Sequence, residues 1–274
     1  MLSYFASLLR SAVVLAIVAV PLAPHANAET VRIGGTGAGL AAMQSLGDSL
    51  MAADPTVRVV VLPSLGTPGG LRALAAREID VAITVRPLTE QEQAKGLQET
   101  VCVRSALVFA STHADPVGLT RAGLPRLFAD EAPTWPDGTP LKIILRSRAS
   151  SEYVYLAKII PGIAAAIETA HRRPGMPIAS TDQENADLAQ RAVGSLAITT
   201  LLQIRAERLR LRPLAIDGVF PDLASLSDKT YPFLFNLCAV LRADDAGVAR
   251  KFVAHMASPA GLALLRGFDA VPVE

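Results

Sequence analysis

Cysteine and histidine are scarce in this chain, with two Cys and four His among 274 residues. Two cysteines cannot form a disulfide-dense scaffold or a four-thiolate zinc site. Three of the histidines, His113, His171 and His255, lie far apart in predicted loops and helices, so they offer little for a His-rich metal centre. We therefore expect no metal site and no cofactor.

Net charge is almost absent as well, because 26 Lys and Arg face 25 Asp and Glu, for a formal charge of +1. A chain without a strong positive field does not attract DNA, RNA or an anionic membrane along its length, so we expect no nucleic-acid partner. The hydrophobic fraction of 51% is instead typical of a globular protein with one or two domains and a sizeable core.

Familiar nucleotide-binding and hydrolase motifs are missing. The glycine-rich segment 34–39 is followed by Leu40, where a G-x-G-x-x-G motif needs its third glycine, and no G-x-x-x-x-G-K-[ST] loop occurs. Neither a G-x-S-x-G elbow nor an H-E-x-x-H zinc motif is present. We therefore do not expect an enzyme, and an exported hydrolase is only the weaker alternative.

The N-terminal segment has the pattern of a secretory signal peptide. Arg10 precedes an apolar run at 11–20, and the small-residue triplet Ala26-Asn27-Ala28 follows two prolines. The run is shorter than the roughly 20 residues of a membrane-spanning helix. We expect residues 1–28 to be a signal peptide cleaved after Ala28, which places the protein in the periplasm. An uncleaved N-terminal anchor is the alternative.

The first half of the remaining chain alternates between strand and helix patterns. β-Branched and apolar runs predict strands at 30–33, 57–62 and 79–84, and helical periodicity predicts helices at 40–53 and 71–77. Successive βα units require a parallel sheet with right-handed crossovers. The turns that follow the strands then open on one edge of the sheet, which is where α/β folds bind ligands.

Two long apolar segments at 101–110 and 231–241 predict strands that leave this first unit and return to it. Between them a second α/β block has a strand at 141–145, a turn at 146–152 and a helix at 153–160. We therefore predict two lobes joined by two crossover strands, with the ligand between them. The predicted first lobe comprises residues 29–105 and 235–274, and the second lobe comprises 106–234.

Cys102 and Cys238 lie one on each predicted crossover strand. If these strands run side by side and antiparallel, the two sulfurs come within bridging distance in an oxidising compartment. The alternative is that they are two small buried hydrophobic residues on unrelated faces. The sequence leaves both open.

Several short blocks give the chain a resemblance to a known family. They are GTGAG at 35–39, GTPGGLRAL at 66–74, EIDVAITVRPLT at 78–89, LAIDGVFP at 214–221, YPF at 231–233 and SPAGL at 258–262. In this order they resemble the PstS-type phosphate-binding family of periplasmic solute-binding proteins of ABC transporters. The resemblance implies an α/β, two-lobed, type II-like periplasmic-binding-protein clamshell. It also implies a monomer that takes up a small inorganic anion and meets the transmembrane subunits of an ABC permease.

The resemblance implies a ligand cleft in which hydroxyls, backbone N–H groups and one arginine hold the anion. Its predicted residues are Gly39, Leu40, Ala41 and Ala42 in the first turn, Thr67 in the second, Thr84, Val85 and Arg86 after the third strand, and Arg146, Ser150, Ser151 and Glu152 in the second lobe. Thr67, Arg146 and Ser150 match the family by residue type.

Three positions depart from the family pattern: Ala41 and Glu152 stand where the family has hydroxyls, and Val85 replaces an acid that accepts the proton of phosphate. We expect a binding component that captures phosphate for import. The alternative is a sensor or adaptor with the same fold and an altered cleft. If Glu152 points inward, it can serve as the acceptor that Val85 cannot be, and phosphate should be preferred over sulfate.

Overall fold

The computed structural model describes residues 28–273. Apart from Ala28, the predicted signal peptide lies outside these residues, so its cleavage stays a prediction. Within 28–273, no helix is long and apolar enough to cross a membrane.

Ten strands and eleven helices make up the described part of the chain. The strands are β1 (Glu29–Gly35), β2 (Val57–Val61), β3 (Val81–Thr84), β4 (Leu97–Ser111), β5 (Lys142–Arg146), β6 (Ile178–Ala179), β7 (Ser195–Thr200), β8 (Arg212–Pro213), β9 (Leu234–Arg242) and β10 (Val271–Pro272). The helices are α1 (Gly37–Ala53), α2 (Gly66–Ala75), α3 (Glu90–Ala94), α4 (Leu124–Ala129), α5 (Ser151–Ile159), α6 (Ile163–Arg172), α7 (Asp182–Arg191), α8 (Leu201–Ala206), α9 (Leu223–Ser227), α10 (Val248–Ala257) and α11 (Pro259–Gly267).

The strands follow one another in space in the order β2-β1-β3-β9-β4-β7-β5-β6. β1 pairs in parallel with β2 and β3, and β5 pairs in parallel with β6 and β7. Each of these parallel groups has the pairing that successive βα units require. The prediction of a parallel sheet in the first half of the chain is confirmed.

β4 and β9 are the two crossover strands, and they pair antiparallel. The first part of β4 pairs with β9, and its last five residues pair with β7 of the second parallel group. One long strand therefore ties both groups together. Cys102 and Cys238 are register partners on these strands and form a disulfide. Of the two alternatives that the sequence left open, the structure contains the bridge.

Buried apolar side chains form two large cores. One contains Phe109, Phe128 and Trp135, and the other contains Met43 and Phe252. Two cores around two parallel groups make the two lobes of a clamshell. The predicted lobe boundaries stay a prediction, because β4 and β9 run through both lobes without a break.

Three helices begin earlier than their apolar periodicity predicted. α1 begins at Gly37 instead of residue 40, and α2 at Gly66 instead of 71. α7 begins at Asp182, although the apolar pattern predicts this helix only over 186–193. Their first turns consist of glycine, small or polar residues, which add nothing to an apolar stripe. As a result, what the sequence predicted to be loops at the cleft are the N-termini of helices.

Candidate functional site

The N-terminus of α1 forms one wall of the cleft. Its first four residues, Gly37 to Leu40, are all buried. The first N–H groups of a helix have no partner within the helix and carry its positive partial charge. Just before them, Gly35 has a φ of +128°, and a Cβ there would lie 2.2 Å from the carbonyl oxygen of Ile83. This glycine lets β1 end against β3 and aims α1 at the sheet edge.

Arg146, the last residue of β5, forms the opposite wall and is only 5% exposed. Its backbone N–H donates to the hydroxyl of Tyr153, and its Nη1 donates to the carbonyl oxygen of Thr181. Its Nε is buried and has no hydrogen-bond partner among residues 28–273. The Nε–H group therefore remains a buried donor that none of these residues uses.

Asp182, the first residue of α7, connects the two walls. Its Oδ1 accepts from Nη2 of Arg146 at 3.0 Å, and its Oδ2 accepts from the backbone N–H of Ala38 at 3.1 Å. The side chain is held between an arginine and a helix N-terminus, both of which stabilise an anion. Two groups that stabilise anions therefore meet at this one carboxylate.

Glu152 is a second acid at the same place. It is 8% exposed, it lies in the first turn of α5, and its Oε1 is 3.9 Å from Nη2 of Arg146. Burial raises the pKa of the Glu152 carboxyl, and the nearby Asp182 carboxylate raises it further, while Arg146 acts in the opposite direction. Glu152 thus points inward and holds its proton to a higher pH than an ordinary glutamate.

A small cavity of about 40 Å³ lies beside these groups. Its lining residues come from both walls and are mostly apolar: Ala38, Val85, Leu107, Ser151, Glu152, Tyr155, Thr200 and Phe235. By the usual measure of about 10–15 Å³ for each water, it has room for about three or four water molecules.

Most of the other predicted residues lie around this cavity and the contact between Arg146 and Asp182. Thr67 is buried in the first turn of α2, and its Oγ1 accepts from the backbone N–H of Val85 at 3.3 Å. Ser150 is the N-cap of α5 and accepts from the N–H of Tyr153. Thr84 is fully buried, and its Oγ1 has no partner in the described residues. Val85 and Ser151 line the cavity.

Three predicted residues do not lie at the cavity or at the contact between Arg146 and Asp182. Ala41 and Ala42 lie beyond the first four N–H groups, because α1 begins at Gly37, and the side chain of Ala42 packs in the core of the first lobe. Arg86 makes a two-pronged pair with Glu92, at 2.7 and 2.8 Å. Arg86 and the cap of α3 lower the pKa of Glu92 to about 2. The charge of Arg86 is therefore compensated within its own segment.

Asp182 is the functional candidate that the sequence analysis missed. The segment Thr181-Asp182-Gln183-Glu184 has the ordinary pattern of a helix N-cap, and Thr181 does cap α7 by accepting from the N–H of Glu184. An acid in the first turn of a helix is expected from the helix dipole alone. Its partners Arg146 and Ala38 are 36 and 144 residues away, so no local signal points to the cleft.

The fold and site together define a two-lobed α/β clamshell of the solute-binding type, as predicted. The family comparison identifies it further: the chain belongs to the PBP superfamily domain family, whose model matches residues 22–260. The resemblance stated from the sequence motifs is therefore confirmed for the fold and the superfamily. A comparison with curated proteins finds no match.

Solved structures share the fold at low sequence identity. A phosphate ABC transporter substrate-binding protein from Clostridium perfringens, with bound phosphate, matches with a TM-score of 0.75 and 15% identity over 90% of this chain and 100% of that one. The periplasmic molybdate-binding protein of Azotobacter vinelandii gives 0.57 and 15% over 89% and 100%. The CcmR regulatory domain of Synechocystis PCC6803, in complex with 2-PG, gives 0.51 and 14% over 83% and 96%.

Proposed function

We propose that this chain is an exported, monomeric binding protein that captures a small oxyanion, phosphate in the first place, for an ABC importer. The observation that carries the proposal is that the N-terminus of α1 and the guanidinium of Arg146 converge on one carboxylate, that of Asp182. The two groups belong to opposite lobes. An anion between them draws the lobes together, which is how a clamshell captures its ligand.

The chemistry around this point suits an oxyanion with several oxygens. Arg146 retains an unused Nε donor, and the hydroxyls of Thr67 and Ser150 accept from backbone N–H groups, so each still has a proton to donate. The fold likeness to phosphate-binding and molybdate-binding proteins supports this ligand class.

Selectivity for phosphate depends on Glu152 in this proposal. Val85 lines the cavity where an acceptor would be needed, and Glu152 lines the same cavity. An ionised Glu152 accepts the proton that phosphate carries and repels fully ionised sulfate. Phosphate should then be preferred, and this preference should grow as the pH rises through the elevated pKa of Glu152.

A sensor or adaptor with the same fold is the second candidate. The specific observation that favours it is the acidity and small size of the cleft: Asp182 and Glu152 face one Arg146, and the cavity is about 40 Å³. The likeness to a regulatory domain supports this class of function. A sensor of this kind should bind oxyanions weakly or bind a different small molecule.

Isothermal titration of the processed, secreted protein tests the proposal. We expect saturable binding of phosphate, weaker binding of sulfate and molybdate, and no binding of acetate. Glu152→Gln should lower the phosphate-to-sulfate affinity ratio, whereas Glu168→Gln, which changes an exposed acid on α6, should leave the ratio unchanged. If none of the oxyanions binds, the oxyanion function is wrong. An unchanged ratio in Glu152→Gln would exclude the role of Glu152 as the acceptor.

A further inference from the structure

Asp182 does more in this cleft than cap a helix. We propose that its carboxylate is an internal competitor for the oxyanion site, which it occupies while holding the two lobes together, and that it determines which anions can enter. This inference rests on the proposed function for the identity of the entering ligand. The structural part of the inference is that a carboxylate of the protein itself occupies an anion site, and this part rests on the contacts of Asp182 alone.

The contacts of Asp182 join three distant parts of the chain. The carboxylate uses one oxygen for Arg146 at the end of β5 and the other for the N–H of Ala38 in α1. Because only 8% of the Asp182 surface is exposed, the carboxylate has little contact with water. A bidentate link between a helix N-terminus and an arginine is the set of contacts expected for a bound anion.

The approach of α7 to α1 is built around a missing side chain. A Cβ on Gly37 would lie 2.7 Å from Oδ2 of Asp182 and 2.5 Å from Oε1 of Gln183, both shorter than real Cβ contacts. Gln183 also donates from Nε2 to the carbonyl oxygen of Gly37 at 3.1 Å. The first two residues of α7 thus dock on the first two residues of α1, and a side chain at position 37 would push Asp182 and Gln183 aside.

Unused capacity remains at the site after Asp182 has bound. The Nε of Arg146 is buried without a partner among residues 28–273, and a cavity of about 40 Å³ lies beside Glu152. Removal of the Asp182 carboxylate from the site would free the N–H of Ala38 and Nη2 of Arg146 and would enlarge the space. A four-oxygen anion can use these donors together with Nε, whereas Asp182 reaches only two of them.

Competition with an attached group favours ligands that make more contacts than the group itself. Asp182 is held near the site by the chain, so its effective concentration is far above that of a dissolved anion. A small monocarboxylate offers the same two oxygens and cannot displace it. A tetrahedral oxyanion offers four oxygens. Asp182 therefore excludes monocarboxylates and admits oxyanions at reduced affinity, since the open site is populated only part of the time.

Chemical rescue tests the internal competitor directly. Asp182→Ala removes one carboxylate and leaves a formate-sized space between Arg146 and α1. Thermal melting in formate, compared with chloride at equal ionic strength, should raise the Tm of Asp182→Ala by several degrees. The wild type and Asp187→Ala should show no such rise, because Asp187 lies on the same helix with a side chain 67% exposed. No formate response in Asp182→Ala would overturn the inference. If Asp182→Ala does not fold, Asp182→Asn replaces it as the test variant, because asparagine preserves the shape of the side chain and removes its charge. Small-angle scattering should then show a more open arrangement of the two lobes than in the wild type.

Phosphate titration separates this inference from the proposed function. Asp182→Ala should bind phosphate about tenfold more tightly than the wild type, as expected if the occupied site is populated about nine-tenths of the time. If the wild type binds phosphate and Asp182→Ala binds it no more tightly, the inference that Asp182 competes with the ligand is wrong and the proposed function stands. If formate rescues Asp182→Ala and no variant binds any oxyanion, the internal anion is upheld and the oxyanion function is wrong.

Discussion

The two walls of the cleft reach the same electrostatic result by different means. The wall from the first lobe uses backbone N–H groups at the start of α1, and its residues there are glycine, alanine and leucine. The wall from the second lobe uses the side chains of Arg146, Glu152 and Asp182, all nearly buried. The first wall is therefore insensitive to side-chain identity as long as the backbone can approach. The second wall depends on the balance of three charges.

This difference determines where substitutions should be most damaging. In the second wall, Arg146 is the single cation beside two acids, so its loss leaves both acids without a partner in a buried environment. In the first wall, only an added atom that blocks the close approach of α7 should matter.

Arg146→Ala should destabilise the protein by about 3–5 kcal/mol, because it leaves Glu152 and Asp182 buried without their cation. Anion binding should be lost in the same variant. Denaturant unfolding of the wild type and the variant measures the stability change. Arg148→Ala is the matched control: Arg148 pairs with Glu168 at the surface, so its loss should cost less than about 1 kcal/mol. Equal stability of the two variants would refute the charge balance.

Gly37→Ala should destabilise the protein by about 1–3 kcal/mol, because the new methyl group pushes Asp182 and Gln183 away from α1. This loss should occur even though alanine is the better helix former. The same unfolding experiment on Gly267→Ala provides the control, because Gly267 is also helical and a Cβ there meets nothing within 4 Å. A gain in stability for both variants would mean that α7 does not need the close approach.

Glu152→Gln should have the smallest effect, and one that depends on pH. Its carboxyl faces Asp182, Arg146 and Ser150, and its folded-state pKa is raised, with burial as the largest cause. The stabilisation is therefore present below the pKa of an unfolded glutamate and is lost as the pH rises through the folded pKa. Relative to the wild type, the glutamine variant should become more stable over this window. A constant difference across the window would show that Glu152 titrates normally.

The wall formed by the N-terminus of α1 was predictable from sequence, and the wall formed by Arg146, Glu152 and Asp182 was predictable only in part. The βα pattern placed the turn before α1 at the sheet edge, and the family resemblance placed Arg146, Ser150 and Glu152 of the turn after β5 in the cleft. In both cases the functional groups are local to a strand end. Periodicity did not find the first turns of α1 and α2, because glycines carry no apolar side chain.

Two features of the second lobe were missed for different reasons. Asp182 has the pattern of an ordinary helix cap, and its role comes from partners far along the chain that meet only when both lobes are folded. The segment of α6 has prolines on both sides, at 161 and 174, and no helix was predicted there. Its spacing of Ile163, Ala166, Ile167 and Ala170 is nonetheless amphipathic, and these residues are buried. The periodicity was therefore sufficient to predict this helix.

The central claim is that the position between Ala38 and Arg146 is an anion-binding site now occupied by Asp182. A crystal structure of the secreted protein grown with phosphate tests it most directly. We expect a tetrahedral anion within hydrogen-bonding distance of the N–H of Ala38 and of the guanidinium of Arg146, with the Asp182 carboxylate displaced. A phosphate ion bound elsewhere, with Asp182 still joined to both groups, would contradict the account.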